Sequence, residues 1–429
     1  MKTARLEWDG ADARGMAARL RALQPPPGEV AEAVARIIGE VESGGDKAVL
    51  DAEERFGGAR PEALRVDSAG LDAARDAVPA ELAEAMELAA DNVRRVAEAE
   101  VMADLRVTLP HGQSVRLRSV PVASAGAYAP GGNAAYPSTA LMCCVPAKVA
   151  GVERVAIVSP PGSSGEVNPA VLAAAAIAGA DELYATGGVQ AIAALALGTE
   201  SIAPVDVIVG PGNRYVQEAK RQLYGRVGID GIAGPSELMV VCDRSAKPEW
   251  IALDLCSQAE HGDDGLLVAA SDDPATLDEV EAAVEQAVAA RPGAVQDAPF
   301  ALVRVPSVEA GVELANALAP EHLELECEGA EELSPTVTTA GCVFVGNLGA
   351  TAFGDYAAGS NHVLPTGGAG RYTGPLGPTV FRRRIGTVKF TQEAAQALAP
   401  AVGTLARSEG FPVHAESVEA RLESEGERK

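Results

Sequence analysis

The stretch that decides the fold reads VERVAIVS (152–159), NPAVLAAAAIAGA (168–180), DELYAT (181–186), VQAIAALALG (189–198), VDVIVG (205–210) and NRYVQEAKRQLYG (213–225). The first, third and fifth pieces are short apolar runs bounded by turn residues, as buried strands are. The second, fourth and sixth are longer, Ala-rich or amphipathic, as helices are. NPAVLAAAAIAGA also carries its own boundaries, with Asn168 and Pro169 opening a helix and Gly179 closing it. Alternation of this kind implies βαβ units and a parallel sheet covered by helices.

A second series of the same kind begins at ELMVVCD (237–243). A helix through Trp250 to His261, the strand LLVAAS (266–271) and a helix near Thr276 to Ala290 follow. ALVRVP (301–306), a helix near Val308 to Leu318, the LELE strand (323–326) and CVFVGN (342–347) continue it. The expected fold class is therefore α/β, with two Rossmann-like, incomplete parallel-sheet domains, a helical N-terminal arm and a mainly helical C-terminal tail. The expected division is an arm over 1–24, one α/β domain from 25–125 plus 238–381, a second over 126–237, and a tail over 382–429 ending in a frayed acidic segment.

With 429 residues the chain exceeds the usual size of one core. It is 47% hydrophobic, 22% charged and only 4% aromatic, so its cores must rest on Ala, Val, Leu and Ile. The net charge of −25 repels phosphate backbones and argues against nucleic acid as a partner. Six cysteines form no CxxC pair and no disulfide framework, which suits a reducing cytosol. The opening MKTARLEWDG lacks a signal core, and the greasiest run, Val171 to Ala180, is far short of the roughly 20 residues a bilayer requires. A cytoplasmic protein without membrane partners is expected.

Five histidines occur, His111, His261, His322, His362 and His414, and four lie in unusual settings. In SQAEHG (257–262), Gln258 and His261 are three apart, which on a helix puts two potential metal ligands on one face. The same spacing also fits an ordinary helix face. In APEHLEL (319–325), Glu321 beside His322 at a strand edge suits general acid–base work, or is simply an exposed loop pair. Asp355 and His362 share the glycine-rich loop GDYAAGSNHVLPTGG (354–368), where backbone can approach a ligand closely. Glu409 and His414 flank a turn marked by Gly410 and Pro412.

Three glycine-rich turns, YAPGGNAAYP (128–137), TGGVQAIAAL (186–195) and VGPGNRYVQEAK (209–220), each follow a strand and open a helix. Their free N–H groups can hold phosphate, although none matches GxGxxG. Three such turns at equivalent strand ends point to a ligand crevice.

Taken together, the chain resembles the histidinol dehydrogenases from about residue 25 to 418. The resemblance rests on GAYAPGGNAAYPSTALMCCVPAKVAGV (126–152), GPGNRYVQEAKRQLYGRVGIDGIAGPSEL (210–238), DLCSQAEHG (254–262), LAPEHLEL (318–325), GDYAAGSNHVLPT (354–366) and EGFPVHAESV (409–418). It implies NAD-dependent, four-electron oxidation of L-histidinol to L-histidine. A zinc ion would be held by Gln258, His261, Asp355 and His414. The resemblance also implies His322 as proton carrier and Glu321 as activator of the water that attacks the aldehyde. Substrate contacts fall at Ser236, His322, Glu409 and the metal ligands, NAD contacts at Tyr128, Gln190 and Asn213, and His362 is a secondary site residue. A homodimer is implied in which the C-terminal tail completes the partner's site. One departure is GDDGLL (262–267) after His261, where the family pattern has a small residue and a glutamine after the aspartate. Other readings of the same residues are a dehydrogenase for another small alcohol, a zinc hydrolase, and a non-catalytic metal-binding scaffold.

Overall fold

The structure is a computed structural model that describes residues 3–26, 28–131 and 135–422. The chain forms two compact units, Met1–Glu100 with Val122–Phe381, and Val101–Pro121 with Arg382–Lys429. The described strands, in chain order, are β1 (Thr3–Glu7), β2 (Leu105–Thr108), β3 (Ser114–Pro121), β4 (Ser124–Tyr128), β5 (Arg154–Ser159), β6 (Glu182–Ala185) and β7 (Val207–Val209). They continue with β8 (Gly228–Ile229), β9 (Glu237–Cys242), β10 (Leu266–Ser271), β11 (Phe300–Arg304), β12 (His322–Glu326), β13 (Cys342–Val345) and β14 (Arg382–Lys389).

The first unit holds two parallel sheets, ordered β6-β5-β4-β7-β8 and β1-β11-β10-β9-β12-β13. Both are wound the same way. From β4 the chain moves outward through β5 and β6, then reverses at β7; from β9 it moves through β10 and β11, then reverses at β12. Each sheet therefore has one switch point, between β4 and β7 in the first and between β9 and β12 in the second.

Side-chain alternation decides which helix meets which face. On β5, Val155 and Ile157 join a core with the helices Ala80–Glu100, Pro137–Val149 and Pro169–Ala178. Ala156 and Val158 face Ala31–Gly57, Gly188–Leu197 and Arg214–Leu223. On β9, Met239 and Val241 pack toward Ala13–Arg21 and Val308–Leu318, while Leu238, Val240 and Cys242 pack toward Pro248–Ala259 and Pro274–Ala289. Helix boundaries follow local chemistry. Asn168 Oδ1 accepts the N–H of Ala170 at 2.9 Å, Pro169 starts the helix, and Gly179 ends it at φ 77°.

One expectation is corrected, and the mainly helical tail is found with a strand at its start. The opening residues are not purely helical, because β1 pairs parallel to β11 at a sheet edge before the helix Ala13–Arg21. An edge strand needs little apolar content, and Arg5 there donates hydrogen bonds to Asp278 and Glu281 instead. The segment from Arg382 likewise starts as β14, pairing antiparallel with β3, which in turn pairs with β2. This small sheet is largely exposed, so RRRIGTVK carries no buried-strand signal. The helices Gln392–Ser408 and Pro412–Glu419 follow, and the tail beyond Leu422 lies outside the described residues.

Candidate active site

Parallel pairing sets Leu238 of β9 opposite His322 of β12, and His322 opposite Cys342 of β13. Ser236, Glu321 and Gly341, which precede these strands, therefore share the sheet's N-terminal edge, Ser236 and Glu321 at its switch point and Gly341 one strand further out. Glu321 Oε2 accepts the N–H of Glu237 at 2.9 Å. His322 Nδ1 lies 3.2 Å from the Glu237 carbonyl and 3.6 Å from Glu321 Oε2, while Nε2 lies 3.5 Å from Asp355 Oδ1. A carbonyl only accepts, so Nδ1 carries the proton and Nε2 is the nitrogen free to exchange one. Gly341 makes this closeness possible, since a Cβ there would stand 2.6 Å from the Glu321 carbonyl oxygen.

Burial pushes the Glu321 carboxyl up to about 7, against the pull of His322. Burial also works against an imidazolium at His322, but Glu321 and Asp355 outweigh it and the net shift is upward. For Asp355, burial raises the carboxyl, yet the hydrogen bond to His322 and the fields of His322, His362 and His261 bring it below its ordinary value. His362 Nδ1 is 2.7 Å from the Asp355 carbonyl and its Nε2 3.2 Å from Thr139 Oγ1. Burial lowers the His362 imidazole, which favours the neutral ring.

His322, Glu324 and Glu326 alternate with Leu323 and Leu325, which point into the opposite core, so the three face the helix Pro248–Ala259. That helix carries Gln258 near its C-terminus. It stops at Ala259, earlier than expected, and His261 follows in a turn whose N–H returns to the Gln258 carbonyl at 3.2 Å. The helix Thr351–Tyr356, which holds Asp355, packs against it. Gln258 is 3% exposed, and among the described residues neither Oε1 nor Nε2 has a hydrogen-bond partner. Gln258, His261 and Asp355 thus gather on one side of His322. Glu409 and His414 belong to the second unit, where both are exposed and the His414 ring lies 5.3 Å from that of Phe411.

Asp254, Glu324 and Glu326 form a cluster that sequence reasoning missed, with ligand oxygens within 4.8 Å of one another. Asp254 stands one turn before Gln258. Glu324 Oε1 accepts the N–H of Thr351 at 3.0 Å. Burial raises all three, Asp254 to about 6 and Glu326 to about 8. The signal was present in LELE: alternate glutamates on a strand buried on both faces cannot be solvated.

The glycine-rich turns gather at the opposite, C-terminal edge of the other sheet. Tyr128 ends β4, and its hydroxyl accepts the N–H of Gly188 at 3.1 Å. Gln190 Nε2 donates to Glu53 at 2.7 Å. Asn213 caps the helix Arg214–Leu223, its Oδ1 accepting from Tyr215 and Val216. Gly210 adopts φ +116°, and a Cβ there would stand 2.5 Å from the Tyr128 carbonyl oxygen, so the two central strands meet at their switch point. Residues 132–134 of the first glycine-rich turn lie outside the described residues.

Residues 24–422 match the family model described as "Histidinol dehydrogenase". The chain belongs to the histidinol dehydrogenase family. Among curated relatives, the histidinol dehydrogenase of a Synechococcus strain is 45% identical over 399 residues, 91% of this chain and 92% of that protein. That of Pseudomonas aeruginosa is 43% identical over 408 residues, 93% of this chain and 92% of that protein. A crystal structure of histidinol dehydrogenase from Elizabethkingia anophelis superposes with a TM-score of 0.90 at 33% identity, covering 98% of each chain. Family membership makes the chain an oxidoreductase of histidine biosynthesis. Among the described residues no helix is long and apolar enough to cross a membrane.

Proposed function

We propose that the chain oxidises L-histidinol through L-histidinal to L-histidine in two NAD-linked steps, in the cytoplasm. The observation that carries this reading is the buried Glu321–His322 pair, with His322 held between the Glu237 carbonyl and Asp355. In the first step His322 Nε2 takes the alcohol proton as hydride leaves for NAD. In the second, Glu321 takes a proton from the water that adds to the aldehyde, and the hydrate loses a second hydride. A carboxyl raised to about 7 by burial can both accept and return a proton near neutrality.

The orphaned amide of Gln258, with His261 and Asp355 beside it, fits a zinc ion. Those three residues and His414 would hold it, and when bound it supplies a Lewis-acid anchor for the substrate's imidazole and amine. Ser236 lies at the same edge to contact substrate, and Glu409 offers a carboxylate to its ammonium group. In this reading Glu409 and His414 come from the tail of a second copy in a homodimer, each tail completing the partner's site. The sheet formed by residues 126–237 would bind NAD through Tyr128, Gln190 and Asn213, and the larger sheet would serve metal and substrate.

The test is NADH formed per histidinol by zinc-loaded protein, followed to completion. Two NADH per histidinol, lost on chelation and regained with zinc, is the expected result. Turnover of another alcohol but not histidinol keeps the site and overturns the substrate, and no nicotinamide reduction with any alcohol overturns the dehydrogenase reading.

A further inference from the structure

Glu53 lies on the helix Ala31–Gly57, whose buried face is otherwise built from Val34, Ile37, Val41, Val49 and Ala52. It is 1% exposed, and among the described residues it forms no ion pair. Leaving a carboxylate in such a place is costly unless its oxygens are hydrogen bonded. One oxygen, Oε1, accepts three: from Thr186 Oγ1 at 2.7 Å, the N–H of Gly187 at 2.6 Å and Gln190 Nε2 at 2.7 Å. The three donors belong to the second glycine-rich turn, which a helix more than 130 residues away in sequence therefore holds in shape.

Those contacts decide the polarity of the turn. Because Gly187 N–H can only donate, Oε1 must accept, and the Gln190 amide must give it Nε2 rather than its own oxygen. Gln190 Oε1 is then turned away from Glu53, 3.0 Å from where a Gly188 Cβ would stand. Gly188, at φ +62°, gives its N–H to the Tyr128 hydroxyl oxygen, leaving the phenolic proton to be donated elsewhere. An acceptor and a donor are thus presented on either side of Gly188. A ligand group that both donates and accepts, such as the carboxamide or a ribose hydroxyl of a nicotinamide dinucleotide, answers both.

We propose that Glu53 is a positioning residue for the dinucleotide, fixing the buried Gln190 as a hydrogen-bond acceptor and, through the Gly188 turn, the buried Tyr128 hydroxyl as a donor. The proposal rests on reading this sheet edge as the NAD site. Its test is NADH affinity by fluorescence titration of the full-length, zinc-loaded enzyme, with KM for both substrates, kcat and melting temperature. Glu53→Leu suits the apolar face but removes the acceptor, and is expected to weaken NADH about tenfold with KM for histidinol within twofold. Glu53→Gln keeps an oxygen for all three donors and is expected to restore affinity to within about threefold. Gln190→Ala and Tyr128→Phe are each expected to cost about tenfold.

If Gln190→Ala weakens NADH while Glu53→Leu does not, the positioning role is overturned and the NAD site stands. Unchanged affinity in both Gln190→Ala and Tyr128→Phe overturns the NAD site and the proposal with it. Glu53→Gln as impaired as Glu53→Leu overturns the polarity account, since charge rather than an accepting oxygen would then be required. Should Glu53→Leu fail to fold, Glu53→Gln and Tyr128→Phe still decide: wild-type affinity in Tyr128→Phe overturns the assignment of its proton.

Discussion

The two parallel sheets of the first unit share one winding pattern, yet their candidate sites sit at opposite edges. In the smaller sheet the glycine-rich turns follow β4, β6 and β7, at the C-terminal edge, where helices begin. In the larger sheet Ser236, Glu321 and His322 lie where β9 and β12 start, and the helix Pro248–Ala259 ends there with Gln258. A helix start offers unpaired N–H groups and positive potential, which suits an anionic dinucleotide. A helix end offers carbonyl groups and negative potential, which suits a cation or an imidazolium. In the proposed reading the same scaffold would serve ligands of opposite charge at opposite edges, and each edge can be tested for keeping to its own task.

The largest expected effect is at His322. His322→Asn keeps an N–H near the Glu237 carbonyl but removes the exchangeable proton at Nε2. Loss of a positioned acid–base group lowers kcat by roughly 10²–10⁴-fold, and NADH affinity should stay within about twofold of wild type. A parallel collapse of NADH binding would show that the edges are not separable. Histidinol turnover and NADH titration on one preparation give both numbers.

A matched pair of glycines sharpens the comparison at smaller cost. Gly341 and Gly210 each have backbone within 2.6 Å of a would-be Cβ, Gly341 against Glu321 beside the larger sheet's switch point and Gly210 against Tyr128 at the smaller sheet's. Gly341→Ala must push Glu321 aside and is expected to lower kcat about tenfold at unchanged NADH affinity. Gly210→Ala must push Tyr128 aside, at a φ that disfavours alanine as well, and is expected to weaken NADH about tenfold with kcat at saturating NAD nearly kept. Steady-state kinetics in both substrates decides; kcat and affinity falling together in both variants dissolves the division.

Legibility in the sequence followed the same physical line. Strands buried on both faces, such as β5 and β9, announce themselves as apolar runs, and Asn168, Pro169 and Gly179 marked one helix at both ends. β1 and β14 did not, because an edge strand and an exposed antiparallel sheet draw stability from pairing and surface charge rather than from an apolar pattern. Among the site residues, Glu321, His322 and Asp355 were visible as types in suggestive settings, but their meeting depends on parallel register across β9, β12 and β13. Glu53 could not be found at all: a glutamate in an amphipathic helix reads as solvated until the fold shows which turn it reaches.

The smallest effect concerns the acidic cluster that runs along β12 away from the larger sheet's site, and it tests whether that cluster's negative potential is buried at a cost. Folded Glu326 keeps its proton up to about 8, whereas an unfolded glutamate releases it near 4.5. Between those values the folded state binds more protons than the unfolded one, so stability must fall as pH rises through the window. Glu326→Gln removes the titrating group and, like a protonated acid, is neutral. The variant should therefore melt as the wild type does near pH 4.5 and some degrees above it at pH 8, at roughly 1 °C for each kcal/mol regained in a chain of 429 residues. Thermal melts across that range read the difference directly. A variant less stable than wild type at pH 8 would mean that the carboxylates are ionised and held by a bound cation rather than buried at a cost.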